Sequence, residues 1–377
     1  MIYADNAATT KMNIDAFEAM KSFLLDDFAN ASQHYSFSRK AKRALKNARQ
    51  TIADCIGALP EEIYFTSGGT ESDNWAIKNF APQTDLHHII TSPIEHNAVL
   101  NACKAISHHA TTDFLDVNHQ GIVSIESLKK VLSKPRECIP SCESTLVSVM
   151  LANNEIGTIQ PVRELCELAH KYGACFHTDA VQAVGHIPID VKTLGVDMLS
   201  ASAHKFNGTK GIGFLYISNQ YQKIEPFHNG GMQENGLRAG TEDVASIVAM
   251  ATALKVNCDT MEQNITHLKK LEEAFITTLT NFDVDFIRNG TNQLPGNVSI
   301  SLKGAEGEML LHRLDLKGIC ISTGSACDSI NQQVSHVIKA IRVPDEYKHG
   351  TIRVSFGAEN TINETVAIAH AIISIIK

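Results

Sequence analysis

Lys205, in the run Ser202-Ala203-His204-Lys205-Phe206, lies 26 residues beyond Asp179 in the run His177-Thr178-Asp179-Ala180-Val181-Gln182. A lysine able to form a Schiff base, with an upstream carboxylate able to keep a pyridine nitrogen protonated, is the pairing that pyridoxal phosphate (PLP) chemistry requires. Asp179 closes a stretch begun by the apolar run Ala174-Cys175-Phe176, and Lys205 follows a second such run, Val196 to Ala201. Both runs read as buried strands, so both residues are expected where strands end. A PLP site also needs a phosphate cradle and a group to pack on the ring. Thr66-Ser67-Gly68-Gly69-Thr70-Glu71 follows a predicted strand and precedes the helix-like stretch Ser72 to Asn79. Bare N–H groups at a helix start, together with Thr70, suit a phosphate. Such a turn equally serves packing alone, and it is the Asp179/Lys205 pair that gives it a chemical reading. His96 opens another predicted helix, where it either stacks over the cofactor and moves protons or simply caps the helix. Gln182, three residues past Asp179, either donates to the cofactor's phenolic oxygen or is an ordinary exposed glutamine, and Ser202 and His204 flank the lysine where they can complete a phosphate shell.

A second cluster is Ser322-Thr323-Gly324-Ser325-Ala326-Cys327-Asp328. A cysteine in small, polar, Gly-containing company suits an exposed loop and a reactive thiol, whereas Cys320, inside Gly318-Ile319-Cys320-Ile321, has the apolar neighbours of a structural one. The nine cysteines are odd in number and follow no repeated spacing, so no disulfide framework is expected. Cys138 and Cys142 bracket Ile139-Pro140-Ser141, but no second cysteine or histidine pair completes four ligands, and no metal site is expected.

The elements that must position these groups alternate along the chain. Short apolar runs at 63–65, 88–90, 146–150, 174–176, 198–199 and 212–216 are separated by helix-like stretches, including Ser36 to Ile56 and Pro161 to Tyr172. This alternation predicts an α/β large domain over residues 13–250 with a mostly parallel central sheet. Asp243 to Leu279 lacks Gly and Pro and reads as an extended helix or helix pair leaving that domain. Beyond it, predicted strands at 297–301, 319–322 and 351–355 and helices at 307–314, 334–341 and 362–376 make a smaller α+β C-terminal domain. Residues 1–12 are assigned with 251–377 to this small domain.

At 377 residues and 44% apolar content the chain can bury two cores. Its net charge of −8 is spread over interspersed acids and bases with no basic block, which argues against nucleic acid as a direct partner. No apolar stretch reaches membrane-spanning length, and the N-terminus has neither a basic region nor an apolar core, so a cytoplasmic protein is expected.

Seven motifs occur in an order that resembles the NifS/IscS-type cysteine desulfurases, PLP enzymes of fold type I in the class V aminotransferase family. They are Tyr3-Ala4-Asp5-Asn6-Ala7-Ala8-Thr9-Thr10, Phe65-Thr66-Ser67-Gly68-Gly69-Thr70-Glu71-Ser72, Ala152-Asn153-Asn154-Glu155-Ile156-Gly157, His177 to Gln182, Ala203-His204-Lys205, Leu237-Arg238-Ala239-Gly240-Thr241 and Ser322 to Cys327. The resemblance implies the PLP-dependent transferase fold and, as activity, conversion of L-cysteine to L-alanine with sulfur left as a persulfide on Cys327. It implies that Lys205 links the cofactor, Asp179 pairs with the pyridinium, Gln182 contacts the phenolic oxygen and His96 stacks on the ring. Thr70, Ser202 and His204 would hold the phosphate, with Thr241 reaching across from a second subunit of a homodimer. Asn154 and Arg353 would grip the substrate carboxylate, and a sulfur-acceptor protein would be the downstream partner. Related activities left open are a selenocysteine lyase or another reaction of the class V family.

The chain departs from the family pattern at three places. Gln233-Glu234-Asn235-Gly236 and Ala239 replace the commoner Gln-Glu-Arg-Gly and serine, removing a base expected near the dimer rim. Only 24 residues follow Arg353, where IscS-type members carry a longer tail that docks an iron–sulfur scaffold. Asp328 adjoins the reactive cysteine and is expected to disfavour its thiolate slightly.

Overall fold

The computed structural model describes residues 1–80, 87–134, 144–221, 224–323 and 334–377. Cys327, Asp328, Cys138 and Cys142 lie outside the described residues. In chain order the strands are β1 (Ile2–Tyr3), β2 (Ile63–Thr66), β3 (His87–Thr91), β4 (Ala110–Phe114), β5 (Thr145–Ser148), β6 (Cys175–Asp179), β7 (Met198–Ser202), β8 (Gly213–Ile217), β9 (Phe286–Arg288), β10 (Asn297–Leu302), β11 (Ile319–Cys320) and β12 (Thr351–Ser355). Seven of them form the central sheet in the order β2-β8-β7-β6-β5-β3-β4. The pairings β7–β6, β6–β5, β5–β3 and β3–β4 are parallel, while β8 runs antiparallel to both β7 and β2. The sheet is therefore mostly parallel. Strands β5, β6, β7 and β8 are buried along their whole length, as expected for strands covered by helices on both faces.

The covering helices are amphipathic for the same reason. In Val162–Lys171 the buried residues Val162, Leu165, Cys166 and Ala169 recur at the helical repeat, and Pro161 stands just before it. In Arg39–Ile56 the buried side chains are Ala41, Leu45, Ala48, Ile52, Ala53 and Ile56. β4 was not expected from sequence, because its interior is Thr111-Thr112-Asp113 at the sheet edge and only its ends are apolar. β9 and β1 are too short, at three and two residues, to carry a readable alternation.

The stretch read as a helix or helix pair is one continuous 38-residue helix, Val244–Asn281. Its first turns place Val244, Ile247, Met250 and Leu254 in the core under the central sheet. Its last turns place Leu268, Leu271, Phe275 and Leu279 in a second core with β10, β12 and helix Ile362–Ile376. β10 lies between β12 and β9, antiparallel to both, and β11 pairs in parallel with β1, so the N-terminus is stitched to the C-terminal part of the chain.

All of this aims strand ends at one place. β6 ends on Asp179, β7 on Ser202 followed by the 3₁₀ turn Ala203–Lys205, and β2 runs through Gly68 into helix Gly69–Lys78. In open α/β sheets ligands bind outside such carboxyl ends. Gly68 has φ of 145°, a conformation that L side chains rarely adopt, and Gly213 of β8 lies directly beneath it. A Cβ on Gly213 would stand 2.4 Å from the Ala201 carbonyl oxygen and 2.7 Å from Gly68 Cα. Both obstacles are backbone and neither can swing away. Gly213→Ala is therefore expected to lower unfolding free energy by about 1–3 kcal/mol, measured by denaturant titration, and to weaken whatever the Gly68 turn holds.

Candidate active site

Nine of the eleven side chains singled out from sequence line a single cavity of about 440 Å³: Thr70, His96, Asn154, Asp179, Gln182, Ser202, His204, Lys205 and Arg353. Thr241 is exposed on the surface of this chain and is not among the residues lining that cavity. Cys327 falls outside the described residues, though Ser335 and His336, a few positions later, also line the cavity.

The floor of the cavity is made by the ends of β6 and β7. Asp179 is 5% exposed and accepts the Val181 N–H at 2.9 Å. Burial pushes its carboxyl up, while the His96 ring, the Val181 amide and Lys205 pull it back. Two more carboxyls are buried nearby. Asp73 is pushed well above its usual range by burial and then by the charge of Asp179. Glu95 is raised to about 8 by burial, although Ser92 Oγ donates to it at 2.5 Å and the Met150 N–H at 2.9 Å. Like charges this close and this dry cannot all ionise. Burial favours the neutral form of all three, and Asp179 differs in having the His96 ring, the Val181 amide and the Lys205 charge to oppose that push. His177, fully buried between Ser148 Oγ and Ser200 Oγ at 2.9 Å each, is lowered to about 3 by burial and stays neutral.

Lys205 Nζ donates to the carbonyls of Ala7 and Ala8 at 2.6 and 2.7 Å, and Gln182 Nε2 donates to Ala7 at 3.0 Å. His204 Nδ1 is 3.1 Å from Thr9 Oγ1, and burial followed by the charges of Lys205 and Lys210 lowers it to about 4. His96 caps its helix and also lines the cavity, its Nδ1 accepting the Ala98 N–H at 3.1 Å at the start of helix Asn97–Ala105. Burial lowers its pKa, so the ring is neutral at pH 7 with its proton on Nε2.

Arg353, in the middle of β12, donates from Nη2 to Asp5 Oδ1 at 2.7 Å and from Nη1 to the Asn154 carbonyl at 2.8 Å. Its Nε is buried without a hydrogen-bond partner among the described residues. The loop at 228–241 is held against this end of the molecule by two ion pairs. Glu234 receives Arg49 through two bonds of 2.8 and 2.5 Å and also accepts the Phe65 N–H, and Arg238 reaches Glu71 at 2.9 Å. Burial alone would raise Glu71, but hydrogen bonds from Arg238 and Ser67 outweigh it and hold the carboxyl below its usual range. Asn235, the departure from the family's arginine, has φ of 57°, a left-handed conformation that asparagine tolerates better than most residues.

Comparison with known proteins agrees with this geometry. The sequence profile of the aminotransferase class-V family matches residues 2–367. The cysteine desulfurase IscS of Dictyoglomus turgidum is 46% identical over 380 residues, covering 99% of this chain and 94% of that protein. The cysteine desulfurase IscS of Methanosarcina thermophila is 42% identical, covering 100% and 92%. Among solved structures, a NifS-like protein superposes with a TM-score of 0.90 at 34% identity, covering 100% of this chain and 99% of that one. SspA in complex with cysteine superposes at 0.81 with 33% identity, covering 96% and 100%. The chain belongs to the class-V aminotransferase family, among its cysteine desulfurases.

Enzymes of this family depend on PLP, and the residues present fit that group. Helix Gly69–Lys78 begins on Gly68 with no side chain capping it, so its first N–H groups remain for a phosphate beside Thr70, Ser202 and His204. Asp179 presents a buried carboxyl where a pyridine nitrogen would be paired, and Lys205 lines the same cavity. Among the described residues no group of three metal-ligating side chains is assembled.

Sequence reasoning did not single out Asp73, Glu95, His336 or the contacts made by residues 5–9 as parts of the site. Asp73 and Glu95 stand inside helix-start segments that read as ordinary polar turns. The Ala7 and Ala8 carbonyls have no side-chain signature at all.

Glu95 carries a consequence for stability. With its folded pKa raised from 4.5 to about 8, the folded protein binds more protons than the unfolded chain between those values, so this group's contribution is intact below pH 4.5 and lost as pH rises toward 8. Denaturant titrations between pH 5 and 8 should show stability falling by up to about 1.4 kcal/mol per pH unit from this group, and Glu95→Gln should flatten that slope.

Proposed function

We propose that this protein is a PLP-dependent cysteine desulfurase that converts L-cysteine to L-alanine and retains the sulfur as a persulfide on Cys327. The observation that carries the reading is the convergence of Lys205, Asp179, His96 and Arg353 on one cavity. PLP, when bound, supplies an electron sink for chemistry at the amino acid's Cα.

The chain's residues divide the remaining work. Thr70, Ser202, His204 and the helix start hold the phosphate, joined by Thr241 of the partner subunit in a homodimer. Asp179 would pair with the pyridine nitrogen, Gln182 would donate to the phenolic oxygen, and His96 would pack on the ring. Arg353 and Asn154 receive the substrate's α-carboxylate, the former by charge-assisted hydrogen bonds. Lys205 would link the cofactor, and its amine would take the proton from Cα. The Cys327 thiolate attacks the substrate sulfur. The Cβ–S bond breaks with its electron pair left on the carbon fragment, which is protonated to alanine. L-cysteine and one enzyme thiol thus become L-alanine and one enzyme persulfide, with all atoms accounted for. A sulfur-acceptor protein in the cytoplasm would then take the persulfide sulfur. Among the described residues no helix is long and apolar enough to cross a membrane.

Cys327→Ala should abolish alanine and persulfide formation from L-cysteine while the protein keeps its yellow cofactor. Unimpaired alanine production by that variant would remove Cys327 from the mechanism. Lys205→Ala should lose the cofactor linkage that borohydride traps in the parent, read by mass spectrometry of the reduced peptide.

A further inference from the structure

Arg353 is anchored on two sides before any ligand arrives. One terminal nitrogen is spoken for by Asp5 at 2.7 Å, the other by the Asn154 carbonyl at 2.8 Å, while the buried Nε has no hydrogen-bond partner among the described residues. Asp5 comes from the opposite end of the chain, 348 residues away, and is itself fixed. It bridges to Ser355 of β12, its carbonyl accepts the Tyr3 hydroxyl at 3.1 Å, and the next two residues bond Ser355 through its carbonyl and its hydroxyl.

A guanidinium carries five N–H donors in one plane. With donors on two different nitrogens tied to fixed acceptors, that plane cannot turn. What remains for an incoming carboxylate is the Nε–H and the second hydrogens of the terminal nitrogens. A buried arginine without a counter-charge would be costly in the empty site, and Asp5 provides that charge. The same anion also weakens the pull of Arg353 on a second carboxylate. L-cysteine and L-alanine carry identical α-carboxylates, so a grip on that group is equally strong before and after the reaction. Tightening it does nothing for the chemical step and slows product release.

We propose that Asp5 is a positioning residue for Arg353 that fixes the guanidinium plane and tempers its charge, thereby setting the affinity for the α-carboxylate of substrate and product alike. This rests on the cysteine desulfurase reading above, in which Arg353 receives the carboxylate. The two parts of the role separate by substitution. Asp5→Asn keeps an oxygen acceptor of the same size and removes the charge, so carboxylate affinity rises. Asp5→Ala removes the anchor as well, so the plane is released and affinity falls.

The test is a titration of the holoenzyme with L-alanine, followed by the cofactor absorbance, alongside KM and kcat for L-cysteine. Asp5→Asn is expected to lower the Kd for L-alanine and the KM for L-cysteine by about three- to tenfold, with kcat unchanged or reduced. Asp5→Ala should raise both constants by about tenfold. Ethylamine, which lacks a carboxylate, should bind all three proteins equally. If both variants weaken L-alanine alike, or change ethylamine binding to the same extent, Asp5 is a packing residue and the proposal is overturned. Arg353→Leu separates the two levels of argument. If it leaves L-alanine binding intact, the assignment of the carboxylate to Arg353 fails; if it abolishes binding while the Asp5 variants match the parent, only the inference about Asp5 fails.

Discussion

A buried carboxyl at a strand end governs this architecture. Asp179 ends a fully buried strand, where burial pushes its carboxyl toward the neutral form and a backbone amide, a lysine and an imidazole oppose that push. The same burial pushes the neighbouring carboxyls Asp73 and Glu95 up and keeps His177 neutral between two serine hydroxyls, while Lys205 follows the adjacent strand β7. The parallel sheet is the means of this arrangement, since parallel strands deliver their ends to one edge and helices on both faces keep water away.

The second organising element is the N-terminal segment. Over five residues, Asp5 to Thr9, it contacts Arg353, Gln182, Lys205 and His204 in turn. Three of these five hydrogen bonds are accepted by the backbone carbonyls of Ala7 and Ala8, which hold position whatever the side chain. The segment is tied to the C-terminal part of the chain by β1–β11 pairing and by Ser355. It therefore refers the groups on the central sheet and the arginine on β12 to one common frame.

How much of this was legible in the sequence follows from where information resides in a chain. Strands such as β6 and β7, apolar and ending on Asp179 and just before Lys205, announce both fold and chemistry, because burial and catalysis both require particular side chains there. The order of motifs from Tyr3 to Cys327 conveyed the family. β4 was missed because an edge strand with a Thr-Thr-Asp interior has no apolar signature, and β9 because three residues cannot show a period. The protonated state of Asp73 and Glu95 was invisible for a different reason. Nothing in either residue's local sequence distinguishes a buried acid from an exposed one, and only the packing of helix Gly69–Lys78 and the turn before helix Asn97–Ala105 beneath the sheet decides it.

The helix from Val244 to Asn281 spans about 57 Å at the standard rise and is rooted in both hydrophobic cores. A boundary drawn near residue 250 would cut through it, yet no loop exists there to absorb a change of angle. A stiff rod shared by two bodies suppresses hinge bending between them, and it makes their melting a joint event. Displacements accompanying turnover must then be confined to connecting segments, and severing the chain inside this rod would leave neither fragment with a complete interior.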